Sequence, residues 1–285
     1  MVRGMVSRPI DVRHLGHDRV IVAYDRDGAI VDPGPASSVE TLLEACPEPR
    51  VLLLTHIHLD HSGAAGVLVR RFPELKVYVH ERGARHLVDP SALVDSATQI
   101  YGDDMDRLWG EIAPVPEQNV TTLSGGETVE GLRVEYTPGH ASHHVAYFDP
   151  DSGEAYTGDV AGVRIPPTDF VLPPTPPPDI DVERWLESIE VVAAWQPAAL
   201  CPTHAGKFAD VDRHLEEVRE RLRAHARAAG EGRDSFMSLL ESSLATLPSD
   251  IVARYEQAAK PDHQWLGLER YWRKRREREA AEKAA

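Results

Sequence analysis

The chain has 285 residues, with 31 Lys+Arg against 46 Asp+Glu and a formal charge of −15 with histidine neutral. That acidity argues against a protein that tracks a nucleic-acid backbone through a basic footprint. Its two cysteines, Cys46 and Cys201, give neither a disulfide framework nor a cysteine-built zinc site.

Residues 1–18 hold no apolar stretch long enough for the core of a signal peptide. Nowhere does an apolar run approach the roughly 20 residues of a membrane helix. The expectation is a cytoplasmic protein without a membrane partner. Residues 19–24 and 29–31 are short apolar runs around Asp-Arg-Asp-Gly, a hairpin spacing, and Asp32-Pro33-Gly34-Pro35 then breaks the strand. Residues 37–45 read as a helix. Val51 to Leu54 is a continuous apolar run, as in a strand buried on both faces, and it ends in His56-Ile57-His58-Leu59-Asp60-His61. A helix over 62–71 and a strand over 75–79 follow.

Residues 81–112 read mostly as helix. Short strands are predicted at 119–123, 127–129, 132–136, 144–148 and 154–157, a helix at 181–195, and another short apolar run at 198–202. Residues 166–178 hold seven of the 22 prolines, so they form neither a regular helix nor a central strand. This segment reads as a linker or as a wall over an active site. Beyond residue 210 the pattern is helical, with Val211, Leu215, Val218 and Leu222 on one face and Phe236, Leu240, Leu244 and Leu247 on another. Charge shifts at the same place. Residues 1–210 carry 16 basic and 32 acidic side chains, whereas 211–285 carry 15 and 14. The division expected is therefore a body over 1–210 and a helical extension over 211–285.

Histidine is the residue whose number needs explaining, at 14. His56, His58, Asp60 and His61 fall within six residues at the end of a strand. Alternate side chains there point the same way, so His56 and His58 reach one metal, while Asp60 and His61 aim at a second position nearby. Imidazole and carboxylate suit zinc, and also iron or manganese. His140, Asp159 and His204 add three more candidate ligands, each in a loop at a strand end.

Taken together, HxHxDH at 56–61, His140, Asp159 and His204 resemble the metallo-β-lactamase superfamily, and Asp32-Pro33-Gly34 resembles its early Asp turn, which supports the metal loop. The resemblance spans residues 32–204. It implies an α/β fold, a four-layer αββα sandwich, here with a helical C-terminal extension. It also implies two divalent metal ions, zinc first: one on His56, His58 and His140, one on Asp60, His61 and His204, with Asp159 bridging. The reaction implied is attack by a metal-bound hydroxide on a small ester, thioester or lactone, with Asp60 also orienting the nucleophile.

Antibiotic-degrading members usually lack the second His of the motif or use Cys in the second site, so β-lactam hydrolysis is not expected. Quorum-signal lactonases often place Tyr where this chain has Gly162. A mono-iron oxygenase resembling the persulfide dioxygenases is the alternative reading. His143 or His144 is a candidate to support the site and Arg164 to bind a substrate carboxylate. Lys207 has a weaker claim, and Cys201 reads as a buried strand residue. The partner expected is a small molecule, and exposed Trp265, Tyr271 and Trp272 on the tail would suit a homodimer.

Overall fold

The computed structural model describes residues 6–284. Residues 1–5 of the N-terminal segment read above, and residue 285, lie outside the described residues.

Two sheets form the centre. The first runs β1 (Arg8–Asp11), β2 (Val22–Arg26), β3 (Ala29–Val31), β4 (Val51–Leu53), β5 (Lys76–His80) and β6 (Val120–Leu123), in that spatial order. The first three strands are antiparallel and β3 to β6 are parallel. The parallel part needs crossovers. They are α1 (Val39–Ala45), the helical turn α2 (Leu59–Ser62) with α3 (Ala65–Arg71), and α4 (Glu81–Val88), α5 (Ser91–Tyr101) and α6 (Met105–Trp109). The second sheet is formed by β7 (Thr128–Val129), β8 (Leu132–Tyr136), β9 (Val145–Phe148), β10 (Glu154–Tyr156) and, beyond α7 (Val182–Ala194), β11 (Ala199–Cys201). It is antiparallel except for the β10–β11 pair.

Strand periodicity explains the layering. Ala23, Ile30, Leu52 and Val77 share one core with Leu42, Leu68 and Leu87 of the helices covering the first sheet. Their neighbours Val22, Tyr24, Val31, Val51 and Leu53 face the second sheet and pack with Leu132, Val134 and Tyr147. A strand buried on both faces must be apolar at every position, which is what Val51-Leu52-Leu53 supplies. On the outer face of the second sheet, α7 presents Val182, Trp185, Ile189 and Val192 at helical spacing. Its N-cap Asp181 accepts a hydrogen bond from the Arg184 N–H at 3.2 Å. The result is the αββα sandwich.

The strand β1 has no counterpart in the sequence reading, because Arg-Pro-Ile-Asp has only one apolar residue that cannot be assigned to either period. The stretch 81–112 is helical but broken, at Asp89-Pro90 and at Gly102 (φ +54°). Proline disfavours helix in the residue before it, and positive φ ends one.

The extension consists of α8 (Val211–Glu231), α9 (Arg233–Leu244), α10 (Ser249–Ala258) and α11 (Pro261–Ala284). Its apolar faces enter the same core as the second sheet, through Val218, Leu222, Phe236, Leu240, Tyr255 and Leu268. The tail aromatics are used within the chain. Tyr271 is buried and its hydroxyl donates to Glu183, and the Trp272 indole N–H donates to the Ala226 carbonyl at 2.7 Å. Trp265 and Trp272 are partly buried against the same core, and the α10–α11 junction closes one side of a cleft.

Two histidines of α8 are buried as neutral rings. His214 donates from Nε2 to the Ala161 carbonyl at 2.8 Å, and His225 lies edge-on to Phe236 with ring centroids 5.5 Å apart. Burial pushes both down to about 4. Since the unfolded chain takes up these protons more readily than the fold does, stability is lost as pH falls from about 6.5 towards 4, by an order of 3 kcal/mol per ring. Denaturant titrations across that range should show the decline, and His225→Leu should make it shallower. An unchanged slope would contradict the assignment.

Candidate metal centre

Every candidate ligand sits where a strand stops. Beyond β4, Leu54 still bonds β5 through its N–H to the Tyr78 carbonyl, and the chain then turns into α2 with His58 at its N-cap. His140 lies between β8 and β9, Asp159 follows β10, and His204 follows β11. Two glycines make the approach possible. Gly139, at φ +132°, presses against the backbone of Trp185, where a Cβ would collide. Gly158, at φ +47°, would bring a Cβ within 2.5 Å of Thr55 Oγ1 and 2.7 Å of His144 Nε2. Each immediately precedes a ligand candidate, and only glycine fits.

The side chains converge in two groups. One ligand atom each from His56, His58, His140 and Asp159 lie within 4.8 Å of one another, and so do those of Asp60, His61 and His204. In the first group His58 Nδ1 is 2.9 Å from His56 Nε2 and 3.0 Å from His140 Nε2. Asp159 joins the two. Its Oδ2 is 3.2 Å from His140 Nε2, while its Oδ1 is 3.3 Å from His61 Nε2 and 3.7 Å from His204 Nε2. Asp60 Oδ2 is 3.4 Å from His204 Nε2.

The outer nitrogens fix the tautomers. His140 Nδ1 faces the Pro174 carbonyl at 2.9 Å and His204 Nδ1 the Val20 carbonyl at 2.6 Å. Carbonyls only accept, so both rings donate outward and turn a bare Nε2 inward. His61 Nδ1 faces Asp32 Oδ2 at 2.8 Å with the same consequence. Thr55 Oγ1 donates to Asp32 Oδ2 at 2.7 Å, which leaves it to accept from His56 Nδ1 at 3.1 Å. Four inward lone pairs thus meet two carboxylates in a buried space. With the rings in these tautomers, His61 Nε2 and Asp159 Oδ1 have no hydrogen-bond partner among the described residues. Buried polar atoms are rarely left so, and a divalent cation in each group is the partner that this donor set fits. The carboxylate and carbonyls that anchor the outer nitrogens are the usual means of orienting ligating histidines.

Burial holds His56 well below the ordinary histidine value, with the neighbouring rings adding to the effect, and it lowers His140 to about 4. Burial opposes charge on His61 too, but Asp159, Asp32 and Asp60 outweigh it and raise that ring. Asp159 is held well below the carboxylate range, because His61, His140 and His204 overcome the cost of its burial. The carboxylates therefore favour positive charge on the His61 side of the centre.

The other candidates fall into place around it. His144 is buried, contacts Thr137 Oγ1 at 2.9 Å through Nδ1, and stacks on His56 at 5.0 Å between centroids. His143 is half-buried beside His58, 6.0 Å between centroids. Arg164 is no substrate group. It is buried, pairs with Asp210 at 2.7 Å and Asp169 at 2.6 Å, and lies 4.4 Å over the Phe208 ring, tying the body to α8. Cys201 is buried and Lys207 is paired with Glu154.

A cleft opens onto His58, Asp60 and Asp159, walled by α5, α6, the proline segment and the α10–α11 junction. The proline segment is thus a wall of the site. Residues of the α10–α11 junction, Gln257 and Lys260 among them, have no signal in the sequence that would place them here.

A sequence profile of the metallo-beta-lactamase superfamily matches residues 16–204. The chain belongs to that superfamily. It is 27% identical over 207 residues, 69% of this chain and 77% of the relative, to a metallo-beta-lactamase fold-containing protein of Sulfurisphaera tokodaii. A metallo-beta-lactamase family protein of Thermus thermophilus has the same fold, with a TM-score of 0.65 at 21% identity over 95% of this chain and 94% of that one. A hydroxyacylglutathione hydrolase of Synechococcus is 32% identical over 136 residues, which is 46% of this chain and 42% of that enzyme.

Proposed function

We propose that this chain is a dinuclear metal-dependent hydrolase of a small ester, thioester or lactone. The observation that carries the reading is Asp159, whose two oxygens face different histidine groups, with its Oδ1 and His61 Nε2 otherwise unpartnered. His56, His58, His140 and Asp159 would hold one cation, and Asp60, His61 and His204, with the other oxygen of Asp159, a second. Divalent metals held there supply water acidic enough to ionise near neutral pH and an electrophile for a carbonyl oxygen. Zinc is the first choice for this donor set, with iron or manganese also compatible.

The chain's own residues do the rest. Asp60 lines the cleft, and its side chain is 19% exposed against 5% for Asp159, so it faces the substrate side and orients the attacking water. The apolar wall of Leu93, Ile100, Leu108 and Trp109 excludes bulk solvent and strengthens the local field. Similarity to the hydroxyacylglutathione hydrolases supports a thioester among the three substrate types.

Metal analysis of the purified protein should find two metals per chain. Removing them with a chelator should abolish hydrolysis on a panel of esters, thioesters and lactones, and zinc should restore it. Turnover by the metal-free protein would overturn the proposal. One iron per chain with oxygen uptake would assign the chain instead to the mono-iron oxygenases.

A further inference from the structure

The cleft beside the metal centre is mostly apolar, yet a lysine lines it. Lys260 is the only Lys or Arg among its described lining residues. It lies at the α10–α11 junction, outside residues 16–204 that the superfamily profile covers. It is half-buried, with its ammonium 5.6 Å from the centroid of the Tyr101 ring. Among the described residues no carboxylate pairs with it. The acids flanking it are engaged elsewhere, Asp104 with Arg107 at 3.0 Å and Asp262 with Arg233 at 2.7 Å. His263 stands edge-on to Tyr101, centroids 5.2 Å apart, and burial lowers its affinity for a proton.

The surroundings fix this lysine in place. Gln257, three residues before it, donates to the His14 carbonyl at 3.0 Å. His14 in turn bonds the Leu108 carbonyl at 2.7 Å and stacks on Trp109 with centroids 5.5 Å apart. The α10–α11 junction is therefore fastened to the apolar wall formed by α6. A half-desolvated ammonium at an apolar wall, in a protein of net charge −15, lacks only an anion.

From this juxtaposition we propose that Lys260 is a specificity-determining residue that binds a carboxylate on the substrate. That carboxylate lies at the far end of a short apolar stretch from the carbonyl presented to the metal centre. The inference rests on the hydrolase reading for the reaction but not for the binding. It narrows the substrate class to acyl compounds with a remote carboxylate.

The test compares straight-chain α,ω-dicarboxylates of four to eight carbons with monocarboxylates of the same length. Binding to the purified metal-loaded protein is measured by calorimetry. One carboxylate is common to each pair and the second is the probe. At the matching length the dicarboxylate should bind about tenfold tighter, the scale of one charge-assisted hydrogen-bonded pair. Lys260→Met should erase that difference and leave the monocarboxylate unchanged, and Lys260→Arg should retain most of it. A wild-type protein without the preference, or a Lys260→Met protein that keeps it, overturns the proposal. In parallel, p-nitrophenyl esters of the matched mono- and diacids report turnover. A binding preference without turnover of these esters or of the thioester and lactone panel supports the subsite and refutes the hydrolase reading, so the two failures are distinct.

Discussion

His61→Ala is expected to abolish turnover and lower bound metal from two ions per chain to one, while the fold persists. The imidazole is fully buried, with Nδ1 bonded to Asp32 and Nε2 aimed between Asp60 and Asp159. Removing it deletes one of three protein ligands in its group. The loss in rate is on the order of a thousandfold or more, because both the acidified water and the charge stabilisation depend on that cation. The fold tolerates the change because Asp32 Oδ2 keeps two hydroxyl donors, Thr55 and Thr203, each at 2.7 Å. Metal analysis, circular dichroism and turnover measured on one preparation check all three parts. His58→Ala should likewise abolish turnover through the other group. Activity within tenfold of wild type in either variant would refute the ligand assignment.

The second large effect falls on stability. Asp32 accepts four hydrogen bonds: from the Thr55 N–H at 2.8 Å, the Thr55 and Thr203 hydroxyls, and His61 Nδ1. These donors come from the segments after β4 and β11, so one buried carboxylate links the ends of both sheets. Asp32→Ala leaves four buried donors without an acceptor. At roughly 1–3 kcal/mol for each orphaned group, less what local relaxation recovers, the cost should be about 4 kcal/mol or more. Asp32 also sits at φ +48°, a conformation in which alanine is strained more than aspartate or asparagine. Urea unfolding should show a lower midpoint at constant slope, and metal content should fall with it. Asp32→Asn keeps the backbone preference but turns an amide donor towards some of the hydrogens now accepted, so it should fall between the two. A midpoint unmoved by either substitution would show that the network contributes nothing.

Local signals made the central features legible. HxHxDH is contiguous and follows a strand whose hydrophobicity marks burial on both faces, so its place at a sheet edge could be read directly. His140, Asp159 and His204 were recognisable because each follows a short turn after a strand. Single residues with tertiary roles were less legible. Arg164 looked like a candidate for a substrate carboxylate, yet its acceptors are Asp169 and Asp210, the latter 46 residues away. For Trp265, Tyr271 and Trp272, helical periodicity shows which residues share a face but not what covers it. Lys260 had no signature at all. Its position in the cleft depends on how four helices fold back over the body, a set of long-range contacts with no local period.

The Pro174 carbonyl that anchors His140 belongs to a segment clamped from outside. Thr175 donates its hydroxyl to the Gln264 carbonyl of α11 at 3.1 Å, and Gly267 of the same helix lies against Thr175 so closely that any side chain there would collide. The C-terminal extension is therefore not an interchangeable cassette attached to an autonomous body. Grafting a different tail onto this body would alter how the candidate ligand His140 is supported. A side chain at Gly267 would push on the backbone beside Pro174, and so reach the support of a candidate ligand more than a hundred residues earlier in the chain.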